Sequence, residues 1–349
     1  MKKNITIVVL VGFALLTACN STSQQLPRSS AEVTAAFAPC GDRVFRDVES
    51  IGCNELHSLM VVRNDTVVYE RWGRSHSPEE LHIAWSMSKT FTAMAVGFAA
   101  QDGLLTVDDK VIDFFPNELP QEPSEWLKAM TINNLLTMSS GFSKDYLSRA
   151  RCGDDFDWAA ETLALPVVFC PGTRFAYNSM NTYLLSVIVS RVTGQKLSDY
   201  LNERLFKQIG IDNYMWDESP QGYTAGGWGL FLTTESFAKA GLFVLHRGNH
   251  NGRQILNAEW IDAMTSPQIL QSAGTNPPPE ELEAAKDDDW AQGYGYQMWC
   301  SHNGARFDGA FGQFILIMPE KSAVTVITAH QTQTAKCLQS VWTNIYDNL

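Results

Sequence analysis

Apolar and polar positions follow two rhythms along this chain, and the places where one gives way to the other outline its elements. "LMVVRNDTVVYERWG", residues 59–73, sets two β-branched and apolar runs on either side of "RND", which predicts a β-hairpin turning at Asn64 and Asp65. "SMSKTFTAMAVGFAAQDG" then takes up a helical spacing, with Gly103 just past its end as a stop signal. From about 105 to 225 the pattern stays helical with turns, through "TINNLLTMSSG", "NTYLLSVIVSRVTG" and "LSDYLNERLFKQIG". "TTESFAKAGLFVLHRG" is a further amphipathic helix with a threonine cap. Residues 266–292 combine a triple proline with an acidic run and read as a long surface loop. "YGYQMW", "GQFILIMPE" and "SAVTVITAH" are strand-like, with Pro319 and Glu320 at a turn, and "QTAKCLQSVWTNIYDNL" closes the chain as a helix. Strands, then helices, then strands and a helix predict an α+β fold. Its sheet is assembled from both ends of the chain, with a mainly helical insertion over about 105–225 and a cleft at the seam.

Composition narrows the partners. With 349 residues, 45% hydrophobic and 18% charged, the chain is globular. A net charge of −12 argues against nucleic acid or an anionic membrane surface. "MKKN" followed by "ITIVVLVGFALL" is a basic head and an apolar core too short to span a bilayer, and reads as a signal peptide over residues 1–18. "LTAC" at its end resembles a bacterial lipobox. That resemblance implies cleavage before Cys19 and lipidation there, hence anchoring on the periplasmic side of the cell envelope, with Asn20 pointing to the outer membrane. Cys19 would be the only membrane contact. "NSTSQQLPRSSAE" then reads as a disordered tether, giving a lipidated N-terminus and tether over 19–38 and a single domain over 39–349.

Six cysteines remain, an even set that an oxidising compartment would pair. Fifteen pairings exist; the expectation is sequence neighbours, Cys40 with Cys53, Cys152 with Cys170, and Cys300 with Cys337. No C-x-x-C occurs, and His246 and His250 in "HRGNH" are separated by turn residues, so no metal is expected. No G-x-G-x-x-G or P-loop is present, and no cofactor is implied.

Chemistry enters at "SMSK". In S-x-x-K on a helix, Ser86 and Lys89 share one face, so the amine reaches the hydroxyl and can activate it. Ser88 points about 100° away. At the first turn, backbone N–H groups and the positive helix end favour an oxyanion. A second match, Ser236 and Lys239 in "SFAK", lies inside an ordinary amphipathic helix and reads as structural.

The motif keeps informative company: "GLLTVDDKVIDFFP", "TINNLLTMSSGF", "PGTRFAYNS", "GGWGLFLTTESFAKAG" and "FGQFILIMP". Together with "SMSK" these resemble the serine β-lactamase and penicillin-binding-protein-like superfamily, in its class C β-lactamase and esterase branch, which includes 6-aminohexanoate-oligomer hydrolases. The resemblance runs from about residue 55 to 332. It implies a β-lactamase/transpeptidase-like fold, an antiparallel sheet flanked by terminal helices. It also implies an acyl-enzyme on Ser86, with Lys89 and Tyr177 moving the proton; which of the two is the base stays open. Two departures bear on substrate. The usual Y-x-N is Tyr177-Asn178-Ser179 here, leaving Ser179 or Asn181 as the polar substrate contact. The usual K-T-G aligns with Phe307-Asp308-Gly309, where Gly309 keeps a close backbone approach and the Ala310 N–H would join that of Ser86 in the oxyanion hole. The third-motif cation is missing and Asp308 would repel a carboxylate, so an uncharged ester or amide is expected ahead of a lactam. The rival readings are a β-lactamase or D,D-peptidase, and a non-catalytic penicillin-binding or sensor lipoprotein.

Overall fold

Near-continuous apolar runs at both ends of the chain make strands that are buried on both faces. The computed structural model describes residues 25–51, 55–151 and 156–349. The hairpin forms as expected from β1 (Glu55–Arg63) and β2 (Thr66–Trp72). Asn64 and Asp65 both take positive φ, 48° and 59°, the left-handed pair that a two-residue hairpin turn needs. Next come β3 (His82–Ile83), β4 (Tyr214–Trp216) and β5 (Leu230–Leu232), which form a small sheet ordered β3-β5-β4. A short hairpin of β6 (Asn249–His250) and β7 (Arg253–Gln254) follows. The chain then returns to the main sheet with β8 (Trp299–Ser301), β9 (Gly304–Gly309), β10 (Gln313–Met318) and β11 (Ala323–His330). The six-stranded order is β2-β1-β11-β10-β9-β8, antiparallel throughout, so the two ends of the chain meet where β1 pairs β11.

The period of two divides each strand between two cores. Met60, Val62, Ile315, Ile317, Val324 and Val326 face the larger one, with the inserted helices. Leu59, Val61, Phe314, Leu316 and Ile327 face the smaller one, under helices α1 (Ala31–Ser50) and the C-terminal α5 (Thr334–Asn344). Between these in sequence, α2 (Ser88–Gln101) and α3 (Ser179–Thr193) are buried on nearly every side, as central helices must be. Helix α4 (Thr234–Leu245) starts from its Thr233 cap and lies on β10 and β11. A Cβ at its Gly241 would meet Val324 Cγ1 at 2.6 Å, so a small residue is needed at that crossing.

Several expectations need correction. The tether is not free to its end: α1 begins at Ala31, inside residues 19–38, and Ser30 caps it. Before it, the Ser29 N–H donates to Val67 O, and Arg28 bridges Glu70 and Glu235. Burial of one face of α1 on the sheet outweighs the polarity of the sequence leading into it. Cys300 and Cys337 are not paired. The Cys300 Sγ lies beside Thr265 O, whereas Cys337 is buried with α5 in the smaller core. Cys40 and Cys170 are free thiols too; Cys53 and Cys152 lie outside the described residues, as do Cys19 and the signal segment. "YGYQMW" is strand only from Trp299, because Gln297 turns the chain at φ 56° and spends its amide on Leu135 O and Leu136 O. The acidic loop is partly folded: Pro279–Ala285 is helical, and Asp289 beyond it is buried. Among the described residues, no helix is long and apolar enough to cross a membrane.

Candidate active site

Ser86 sits in a 3-10 turn, Trp85–Met87, that runs directly into α2. Trp85 holds φ 47°, a strained left-handed conformation for a bulky residue. Its ring is clamped by Phe311, centroids 5.4 Å apart, and by the Arg151 guanidinium 4.3 Å above it. Ser88 is used structurally, its Oγ donating to Trp85 O and accepting from the Leu230 N–H. Ser86 is left as the serine facing the amine.

Lys89 Nζ donates to Ser86 Oγ at 3.0 Å and to Gly227 O at 2.8 Å. The residue is buried, and loss of water around the ammonium lowers its pKa from 10.5 to about 7, with the Asp145 charge opposing. The amine is therefore a ready proton acceptor at neutral pH. The Tyr177 hydroxyl lies on the Ser86 side, near enough for the serine to favour its ionised form. Its ring lies 5.0 Å from Lys89 Nζ and stacks on Trp299, centroids 5.8 Å apart. Burial pushes its phenol well above the usual value, more than the nearby serine lowers it, so it stays protonated. The three residues named from the sequence thus converge.

The supporting residues divide. Gly309 ends β9 against the nucleophile turn: a Cβ there would meet Ala84 O at 2.4 Å, so only glycine lets the strand come this close. Ala310, next along, is exposed, and Phe311 follows onto Trp85. Ser179 is buried at the first turn of α3, with its N–H on Asp145 Oδ2 at 2.7 Å. Asn181 does not reach the cleft: it is fully buried, its Oδ1 accepting from Ser140 Oγ at 2.9 Å. Asn178 caps α3 through the Met180 N–H. Ser236 bonds Thr233 Oγ1 and Lys239 donates to Gly210 O, so the second S-x-x-K is structural. His246 bonds Asp65 and His250 bonds Asn251; they do not act together.

Asp308 does not project a free charge into the cleft. Arg306, fully buried two residues back, donates Nε to Asp308 at 2.9 Å and Nη1 to Asp289 at 3.2 Å. Phe307 points the other way, edge-on to Phe91 behind α2. A cation does stand nearby, the Arg151 guanidinium lying over the ring of Trp85, the residue before Ser86. Beside Trp85 opens a pocket of about 570 Å³, with Trp158, Trp228 and Ile83 as apolar wall and Arg151, Asp217 and Glu218 among its polar groups. Sequence reasoning missed the Gly227 carbonyl, which "GGWG" only hinted at, and it missed Trp299, Arg151 and Arg306.

Comparison with known proteins agrees with this arrangement. The Beta-lactamase family model matches residues 57–348. The chain is similar to the 6-aminohexanoate-dimer hydrolase of Paenarthrobacter ureafaciens, 23% identical over 77% of this chain and 71% of that one. It is also similar to Penicillin-binding protein 4 of Amycolatopsis lactamdurans, 29% identical over 46% of this chain; there it spans only 42% of the relative's length. The solved structure of EstCE1, a hydrolase with promiscuous acyltransferase activity, superposes with a TM-score of 0.70 over 89% of this chain and 100% of that one, at 15% identity. That likeness is one of fold.

Proposed function

We propose, from the premise that the chain belongs to the beta-lactamase family of serine hydrolases, that it cleaves an ester or amide through an acyl-enzyme on Ser86. The observation that carries this is the Lys89 amine, 3.0 Å from Ser86 Oγ and brought by burial to a pKa of about 7. Neutral Lys89 takes the Ser86 proton as Oγ attacks the substrate carbonyl. Tyr177, held protonated beside Ser86, passes a proton to the departing alcohol or amine and regains one from the Lys89 ammonium; when water attacks the acyl-enzyme, the neutral amine takes the water's proton and returns it to Ser86 Oγ as the acid leaves. The Ser86 and Ala310 N–H groups would hold the developing oxyanion, a role supported by the tight docking of Gly309 on Ala84. Ser179, next to Tyr177 at the helix start, is the remaining polar candidate for orienting substrate.

The tryptophan-walled pocket beside Trp85 suits an uncharged or partly apolar acyl group. Esterase, amidase and penicillin-binding relatives share the fold, which accommodates several acyl substrates. A second reading, cleavage of a lactam or D,D-peptide, is favoured by Arg151, which lines the pocket beside Trp85 and could receive a substrate carboxylate there. The export and lipid anchoring read from residues 1–19 belong to the same proposal, and place the reaction in the cell envelope. A nitrophenyl ester should give a burst of one nitrophenol per chain, retained in Ser236→Ala and lost in Ser86→Ala. A burst that survives Ser86→Ala overturns the assignment.

A further inference from the structure

Three imidazoles meet outside the cleft, on the strands that lead into it. His57 is the extra residue of a β-bulge in β1, where the register to β11 slips between Leu56 and Ser58; such a bulge re-aims its side chain. His76 lies in the turn after β2, and His82 opens β3. The His57 and His76 rings stack with centroids 4.0 Å apart, and His82 stands 5.5 and 5.8 Å from them. One ring nitrogen of each lies within 4.8 Å of those of the other two, the one such cluster among the described residues. His82 is 4% exposed, yet its Nε2 has no hydrogen-bond partner. A buried ring nitrogen left unpaired among two other imidazoles is what a bound cation would satisfy. Two carboxylates adjoin the cluster: His76 Nδ1 lies 2.8 Å from Glu80 and its Nε2 3.0 Å from Glu55.

We propose that His57, His76 and His82, with Glu55 as an oxygen ligand, bind a divalent transition metal of the zinc class. Glu80 orients His76 from its far nitrogen, the usual arrangement behind a ligating histidine. Imidazoles with one carboxylate suit zinc, nickel or copper, and not magnesium or calcium. Metal–nitrogen bonds of about 2.0–2.1 Å place tetrahedral ligand atoms roughly 3.3 Å apart, so side-chain rotations of little more than 1 Å bring the three imidazoles together, and exposed Glu55, 3.0 Å from His76 Nε2, swings in as the fourth ligand. The metal ties the bulge, the turn after β2 and β3 together. His82 is four residues ahead of Ser86, so the site braces the segment that carries the nucleophile and takes no part in the reaction.

The test uses the chelator-treated protein, titrated with cobalt(II) and followed by its visible absorption, and with zinc against a chromophoric chelator. One equivalent per chain is expected, with a tetrahedral cobalt spectrum and a raised melting temperature in zinc. His76→Ala, whose ring is near the surface, and His57→Ala should each weaken binding at least tenfold, with unchanged circular dichroism showing that the variants fold. The double variant His246→Ala, His250→Ala should bind as the parent does. Zinc affinity unaltered in His76→Ala, or no stoichiometric uptake at micromolar zinc, overturns the proposal and leaves a histidine cluster held by packing alone.

Discussion

Lys89 should cost the fold stability, and replacing it with methionine should show by how much. In the unfolded chain the amine titrates near 10.5; in the native protein burial brings it to about 7. Between those values the unfolded state binds a proton that the native state does not, so stability rises with pH and falls again as pH drops toward 7. Below 7 both states are protonated and the penalty is constant, at most about 5 kcal/mol for a shift of this size. Lys89→Met removes the titration. It also removes the bonds to Ser86 Oγ and Gly227 O, a loss that does not vary with pH in this range. The pH-dependent part therefore stands alone in the difference between parent and variant. Working the two pKa values through the linkage relation, that difference should change by about 2.5 kcal/mol between pH 7.5 and 9.5, the parent gaining. Urea unfolding of both proteins at four pH values measures it. A difference flat across the range would refute the claim that burial neutralises this amine, and the proposed base would go with it.

Further outcomes follow from the same geometry. The acylation kcat/KM of the parent should rise with pH through a midpoint near 7, while Tyr177→Phe should lose about 10²–10⁴-fold without moving that midpoint, read from burst rates across pH. Gly309→Ala forces β9 or the nucleophile turn to shift, since the new Cβ would sit 2.4 Å from Ala84 O; the burst rate should fall by about 10²-fold, with secondary structure by circular dichroism unchanged. Arg306→Met leaves Asp289 and Asp308 without their buried cation and should cost about 3–5 kcal/mol by urea unfolding, far more than an exposed pair such as Lys128 with Glu125.

The sequence showed the hairpin, α2 and the paired ends of the sheet because each is written in local periodicity. Ser86 and Lys89 were legible for the same reason, being one helical turn apart. Tyr177 came from a motif shared with a family and not from spacing, and the structure brings it to Ser86 from 91 residues away. What could not be read is what the fold brings together across long separations. The Gly227 carbonyl that fixes Lys89 is 138 residues distant. Arg306 looked like an ordinary strand residue, yet its guanidinium cancels the charge that Asp308 seemed to present to a substrate. The evenness of the cysteine count suggested pairs, but Cys300 lies on edge strand β8 beside Thr265, whereas Cys337 is carried by α5 into the smaller core, a separation that counting residues does not show. The three histidines are spread over 26 residues and converge only through a bulge and a turn, neither of which leaves a signature of its own.

The most direct measurement of the central claim is intact mass after brief mixing with a panel of esters, amides and penicillins, followed by peptide mapping of any adduct. The account predicts a gain equal to one acyl group, located on the peptide carrying Ser86 and absent from Ser86→Ala. An acyl group found on another residue, or one that forms equally in Ser86→Ala, would contradict it.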